Sequence, residues 1–203
     1  IINLHSHTCV PYKNMLYVYG GKSKENGYNS EIYLFNTENQ TMEIVNVTGE
    51  KPRPRAGHSA VVYNEKMYIF GGKYSKGILS DLWSFDFKDK KWKMETLNDF
   101  NFSRKCHLAF VLGSEMLVIG GISEKEEAKS FTIDLNNFTI NSVEDYGNFP
   151  SSLHFTSGAV LNNHEIVIYG GIEFKSKSPL STLYILNLSP SWKKYIKSQE
   201  KNT

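Results

Sequence analysis

The chain has 203 residues, of which 22% are charged, 40% apolar and 13% aromatic, and its net charge is +2. This is too aromatic for a disordered chain, and the longest apolar runs, about six residues, fall far short of the roughly 20 that cross a bilayer. Lys and Arg minus Asp and Glu give −1 for residues 1–49, +3 for 50–99, −3 for 100–149 and +3 for 150–203, so no single basic region marks a nucleic-acid binder.

The first predicted element is a strand, "HTCVPY" from His7, turned by "KN" into a second, "MLYVYGG". A polar loop, "KSKENGYNS", leads to a third strand, "EIYLFN", and a short fourth segment lies around Met42. The pattern then restarts as "HSAVVY", "KMYIFGG" and "DLWSFD", again as "HLAFVL", "MLVIGG" and "SFTIDL", and finally as "SGAVLN", "EIVIYGG" and "TLYILN". The glycine pairs Gly20–Gly21, Gly71–Gly72, Gly120–Gly121 and Gly170–Gly171 recur at intervals of 51, 49 and 50 residues. Thirteen residues before each first glycine stand His7, His58, His107 and Ser157. The third strands carry Tyr33, Trp83, Phe131 and Tyr184, and the fourth segments centre on Met42, Trp92, Ile140 and Trp192. The units are approximately 1–49, 50–99, 100–149 and 150–199, with no helical period in any of them.

A four-stranded unit of about 50 residues exposes two apolar sheet faces and is marginal alone, so the units must stack face to face. Radial stacking gives an all-β propeller with four antiparallel strands per blade. An open arc of four blades would leave faces exposed at its ends.

The repeat resembles kelch. The second unit matches most fully, through "PRAGHSAVVYNEKMYIFGG", "DLWSFD" and Trp92, and the first follows through "MLYVYGG" and "EIYLFN". The third unit departs at Cys106 and Leu108 around His107, and the fourth has Ser157 in place of the histidine. The resemblance covers all 203 residues and implies a single kelch propeller segment. Kelch propellers usually close with five to seven blades, and this chain begins with Ile. It therefore reads as part of a longer protein, with further blades or other domains in the same polypeptide.

Glycine inside a strand pattern marks a bulge or a close approach, and Gly71 and Gly72 are expected to make room for Trp83 or Trp92. A phosphate-cradling loop would need a following helix, and none is predicted. His7, His58 and His107 share one phase but point between blades, where hydrogen bonding across blades is expected rather than metal binding. Cys9 and Cys106 are too few for a disulfide framework and are expected as buried free thiols in a cytoplasmic protein. Kelch relatives include copper oxidases and iron-dependent specifier proteins, but no Tyr, Cys and His constellation of that kind is present to carry over. No cofactor and no catalysis are expected.

Loops carry function on a rigid scaffold, and those after each diglycine differ in length, charge and aromatics. The resemblance implies a non-catalytic adaptor or scaffold that binds a partner protein or acidic peptide on that face. The candidate contacts are Arg53, Arg55, Arg104, Lys105, Tyr28, Lys73 and Tyr74. Arg55 and Arg104 could instead tie adjacent blades together through a carboxylate or carbonyl. The alternatives to an interaction module are a metal-dependent kelch enzyme and a purely architectural subunit of a large assembly.

Overall fold

The computed structural model describes residues 3–99, 102–124, 128–143, 153–162 and 165–187. Trp192, His164, Glu126 and Glu127 lie outside the described residues. Among those described, regular structure is entirely β.

Blade I is the meander β1 (Thr8–Tyr12), β2 (Met15–Tyr19), β3 (Ile32–Asn36) and β4 (Met42–Ile44). Blade II repeats it with β5 (Ser59–Tyr63), β6 (Lys66–Phe70), β7 (Leu82–Asp86) and β8 (Lys91–Glu95). Blade III follows with β9 (Leu108–Leu112), β10 (Glu115–Ile119), β11 (Phe131–Asp134) and β12 (Ile140–Ser142). Blade IV shows three strands, β13 (Ser157–Asn162), β14 (Glu165–Tyr169) and β15 (Leu183–Asn187). All pairings within blades are antiparallel, and in blade II the turn Asn64–Glu65 has φ of 47° and 61°, the twist-matched geometry of a two-residue hairpin.

The cores lie between consecutive blades. Met67 and Ile69 of β6 pack with Tyr17, Tyr19, Ile32 and Leu34 of blade I, while Tyr68 and Phe70 of the same strand pack with Met116, Val118 and Phe131 of blade III. A strand buried on both faces must be apolar at consecutive positions, which explains why "MYIF" lacks the alternation of a half-exposed strand. Blades III and IV meet through Phe110, Leu117, Ile119, Ile166 and Ile168.

The outer faces are open. On blade IV, Leu183 is 57% and Ile185 54% exposed, and on blade I Met42 and Ile44 are exposed as well. Such side chains are normally covered when sheets stack.

Two expectations are corrected here. Cys9 is exposed rather than buried and Cys106 half-buried, although both are free. In blade IV the histidine's place belongs to Thr156, not Ser157: Ser157 pairs with Tyr169 as Thr8 pairs with Tyr19, so the residue before it is the counterpart of His7. A β-bulge between Val160 and Asn162 adds one residue to β13 and shifts the spacing by one.

Candidate functional site

The loops after each diglycine and the segments leading into the first strand of each blade meet at one end of the blades. Backbone bridges hold them together: His5 with Lys22, Ala56 with Lys73 and Lys105 with Ile122. Near the axis, the residues before the histidine positions form a chain of hydrogen bonds from blade to blade. The N–H of Gly57 donates to the Ser6 carbonyl at 2.8 Å, that of Cys106 to Gly57 at 2.7 Å and that of Phe155 to Cys106 at 3.2 Å. All four residues have left-handed backbone, with φ between 56° and 65°. This repeated kink turns each chain segment from the rim into its inner strand.

The histidines follow at once. His58 Nε2 lies 2.8 Å from Thr8 Oγ1 of blade I, and His107 Nε2 lies 2.8 Å from Ser59 Oγ of blade II. His7, with no described blade before it, is exposed. Burial, and then the neighbouring Arg55 and His7, hold His58 well below the usual imidazole range; His107 is lowered by burial, then by Arg104 and His58. Both rings are therefore neutral in the fold, while the unfolded chain takes up protons once the pH falls below about 6.5. Stability from this source is complete above that pH and is lost as the pH falls toward the depressed folded values. The free energy of unfolding should therefore fall between about pH 6.5 and 5, before most carboxylates titrate, with a slope approaching 1.4 kcal/mol per pH unit for each histidine, and the melting temperature should fall with it. A melting temperature flat across that window would exclude buried neutral histidines.

The arginines are not presented to solvent. Arg55 is 0% exposed; its Nη1 donates to the Gly71 carbonyl at 3.0 Å and to Asp81 Oδ1 at 2.7 Å, and its Nη2 to Asp81 Oδ2 at 2.8 Å. Trp83 Nε1 donates to the same carboxylate at 2.8 Å and fixes its plane. Arg104 is also buried: its Nη1 reaches the Gly120 carbonyl at 3.0 Å, its Nη2 the Lys129 carbonyl at 2.8 Å, and its guanidinium lies 4.5 Å from the Phe131 ring centre. Burial pulls the Arg104 guanidinium down to about 9, which leaves it charged at neutral pH. The main chain of each arginine bonds the preceding blade: Arg55 N–H donates to Asn29 and its carbonyl accepts from Gly21, and Arg104 pairs likewise with Leu79 and Gly72. Each arginine thus ties one blade by its backbone to the next by its side chain. The expectation that Arg55 and Arg104 offer guanidinium groups to a partner is corrected accordingly. Asp81 was missed in the sequence, although it immediately precedes the third strand of its blade, two residues before Trp83.

The diglycines serve the same junctions. A Cβ on Gly71 would stand 2.6 Å from the Arg104 carbonyl, and one on Gly72 would stand 2.8 Å from His58 Cβ. Gly20 and Gly21 meet Arg55, His58 and His7 in the same way, Gly121 meets His107, Gly120 meets the Leu153 backbone and Gly171 meets Thr156. The space admits histidine and linker backbone rather than Trp83 or Trp92, which corrects the aromatic expectation. Trp92 instead packs between blades, 4.9 Å from the Tyr19 ring.

The remaining candidates lie at the surface. Arg53 is exposed with its guanidinium 5.2 Å from the Tyr74 ring centre, Lys73 beside it is exposed, and Lys105 is half-buried. Tyr28, also half-buried, carries Lys22 Nζ at 5.1 Å from its ring. Among the described residues no three potential ligands converge on a metal position.

The chain, whose first three blades are joined by His, Arg and diglycine junctions, matches the model of the KLHDC2/KLHL20/DRC7 kelch-repeats domain over residues 6–203. The chain belongs to the kelch-repeat family. Curated relatives include the Caenorhabditis elegans putative protein tag-53, 28% identical over 82% of this chain and 14% of its own length. Arabidopsis thaliana acyl-CoA-binding domain-containing protein 5 is 26% identical over 91% of this chain and 29% of its own length. Human host cell factor 2 is 31% identical over 57% of this chain and 17% of its own length. The kelch segment thus spans less than a third of each of these relatives.

Proposed function

We propose that this kelch segment is a non-catalytic interaction module of a cytoplasmic protein. Its partner is a protein or acidic peptide, held on the loop end of blades I to III by Arg53, Lys73, Tyr74, Lys105 and Tyr28. The observation that carries this reading is the pairing of an exposed guanidinium with an accessible aromatic ring, Arg53 over Tyr74, on loops that differ between otherwise repeating blades. Such a pair offers a carboxylate both charge and a hydrogen-bond fork, with the ring as an apolar anchor. Arg55 and Arg104 support the loops from below and are not in this contact set.

The test is capture of a partner from cytosol by the purified chain. Tyr74→Ala is expected to weaken the retained interaction by about tenfold or more, as loss of an aromatic anchor does, while the melting temperature stays within a degree or two. Retention unchanged by Tyr74→Ala and Arg53→Ala together would remove the patch from consideration. In this reading the open faces of blades I and IV are covered by further blades of the same polypeptide. A full-length protein in which Leu183 and Ile185 stay exposed would overturn that assignment.

A further inference from the structure

Three side-chain ties hold blade II to blade I, and the same three hold blade III to blade II. Near the axis, Thr8 meets His58 and Ser59 meets His107. At the loop end, Arg55 and Arg104 bond the blade they enter through their guanidinium groups and the preceding blade through their main chain. At the far end of the inner strands, the Tyr12 hydroxyl donates to Glu65 Oε1 and the Tyr63 hydroxyl to Asn136 Oδ1, each at 3.2 Å.

Among the described residues, the junction between blades III and IV has none of the three. Leu108 pairs with Ile119 as Thr8 pairs with Tyr19, so a leucine stands in the hydroxyl's place, with Thr156 in the histidine's. Leu153 replaces the arginine, its carbonyl accepting from Gly121 as that of Arg104 accepts from Gly72. Leu112 replaces the tyrosine, opposite Glu115 as Tyr63 is opposite Lys66. A leucine side chain neither donates nor accepts. Main-chain bonds, Gly121 to Leu153 at 2.7 Å and Phe155 to Cys106 at 3.2 Å, and apolar contact take over there.

The same junction buries a carboxylate. Glu115 lies on the face of β10 that carries Leu117 and Ile119 against blade IV, and it is 4% exposed. The Thr132 side chain hydrogen-bonds it, but Glu115 Oε2 is buried without a partner, and burial pushes the carboxyl above the usual carboxylate range. Glu95, equally buried and paired with Leu82 on the face of blade II toward blade III, has both oxygens met, by Ser84 Oγ and Lys93 Nζ at 2.7 Å each. A buried carboxylate with one oxygen unpaired works against closure of its junction, because opening hydrates it.

The apolar cores of the three junctions are separate clusters, so each junction adds its own interface contribution, and a row of such units opens where that contribution is smallest. We infer that the junction between blades III and IV is the joint at which this propeller opens, blade IV swinging away while blades I to III stay together. Opening there bares Phe110, Leu117 and Ile119 of blade III and leaves both arginine junctions intact. The joint is separate from the Arg53–Tyr74 patch on blade II, so hydrogen exchange reads the one and partner capture the other, and either can fail alone.

The test is native-state hydrogen exchange of the 203-residue chain, with denaturant kept below the unfolding transition. It compares backbone amides of β14 and β2, the central strands of blades IV and I; each belongs to an end blade of this chain, so fraying from an end acts on both. Amides of β14 should exchange through openings at least about tenfold more frequent than those of β2, with a weaker dependence on denaturant than global unfolding shows. The double variant Glu115→Leu with Thr132→Val removes the carboxylate together with its partner, and should slow exchange in β14 by about tenfold while leaving β2 unchanged. Equal exchange in the two strands, exchange of β14 through global unfolding alone, or a β14 rate unmoved in the folded double variant would overturn the inference. If the double variant fails to fold, the wild-type comparison of β14 with β2 decides it.

Discussion

Arg55→Ala is expected to lower stability by about 3–5 kcal/mol, the usual result of breaking a buried ion pair by removing one partner. The loss has two parts. The Gly71 carbonyl and the inner side of the Asp81 carboxylate would be left without the donors that compensate their burial. The junction between blades I and II would also lose the packing of a wholly buried side chain. Asp81 is 24% exposed at its side chain, so water can reach part of the carboxylate and the effect should fall at the lower end of that range. Chemical denaturation of the wild type, Arg55→Ala, Asp81→Asn and the double variant would measure it. Strong coupling between the two sites is expected, and a loss below about 1 kcal/mol in Arg55→Ala would show that the pair contributes little. Arg55→Lys should rescue only weakly, because an ammonium cannot span two carboxylate oxygens and a carbonyl in one plane.

Gly71→Ala should be comparably damaging, for a different reason. Gly71 has φ of +63°, a region that costs an L side chain about 1–2 kcal/mol. Its added methyl would also stand 2.6 Å from the Arg104 carbonyl and 3.2 Å from that of Leu79. Those obstacles are backbone, and the Arg104 carbonyl accepts the Gly72 N–H at 2.8 Å, so blades II and III must move apart for the methyl to fit. Strain plus overpacking of this kind totals about 2–5 kcal/mol. Gly77 supplies the control: it lacks a positive φ, and its nearest neighbours are side-chain atoms at 3.7 Å and beyond. Gly77→Ala should be neutral or slightly stabilising through the unfolded chain. Equal behaviour of the two variants in thermal melts would refute the steric account of the diglycine.

Much of the fold was legible because it depends on local pattern. The short apolar run "MLYVY", bounded by the turn "KN" and the diglycine, reads as a strand, and four copies at intervals near 50 residues require units that stack. The two Arg junctions were only half legible. Arg55 and Arg104 were visible as repeated positions, but presentation to solvent and tying of blades predict the same residue type at the same spacing. The choice between them lies in bonds spanning 16 and 26 residues, from Arg55 to Gly71 and Asp81. The single-residue bulge in β13 was hidden for a related reason: counting back from Gly170 assumes an unbroken ladder.

The sequence by itself determined the strands, the four-unit period and the all-β kelch class, since strand formation and stacking follow from the order of apolar and polar residues along the chain. Tertiary structure decided which cations face solvent and what the glycines accommodate. Those features depend on the direction of side chains across junctions between blades, and direction is set by packing partners about 50 residues away rather than by neighbours in the chain.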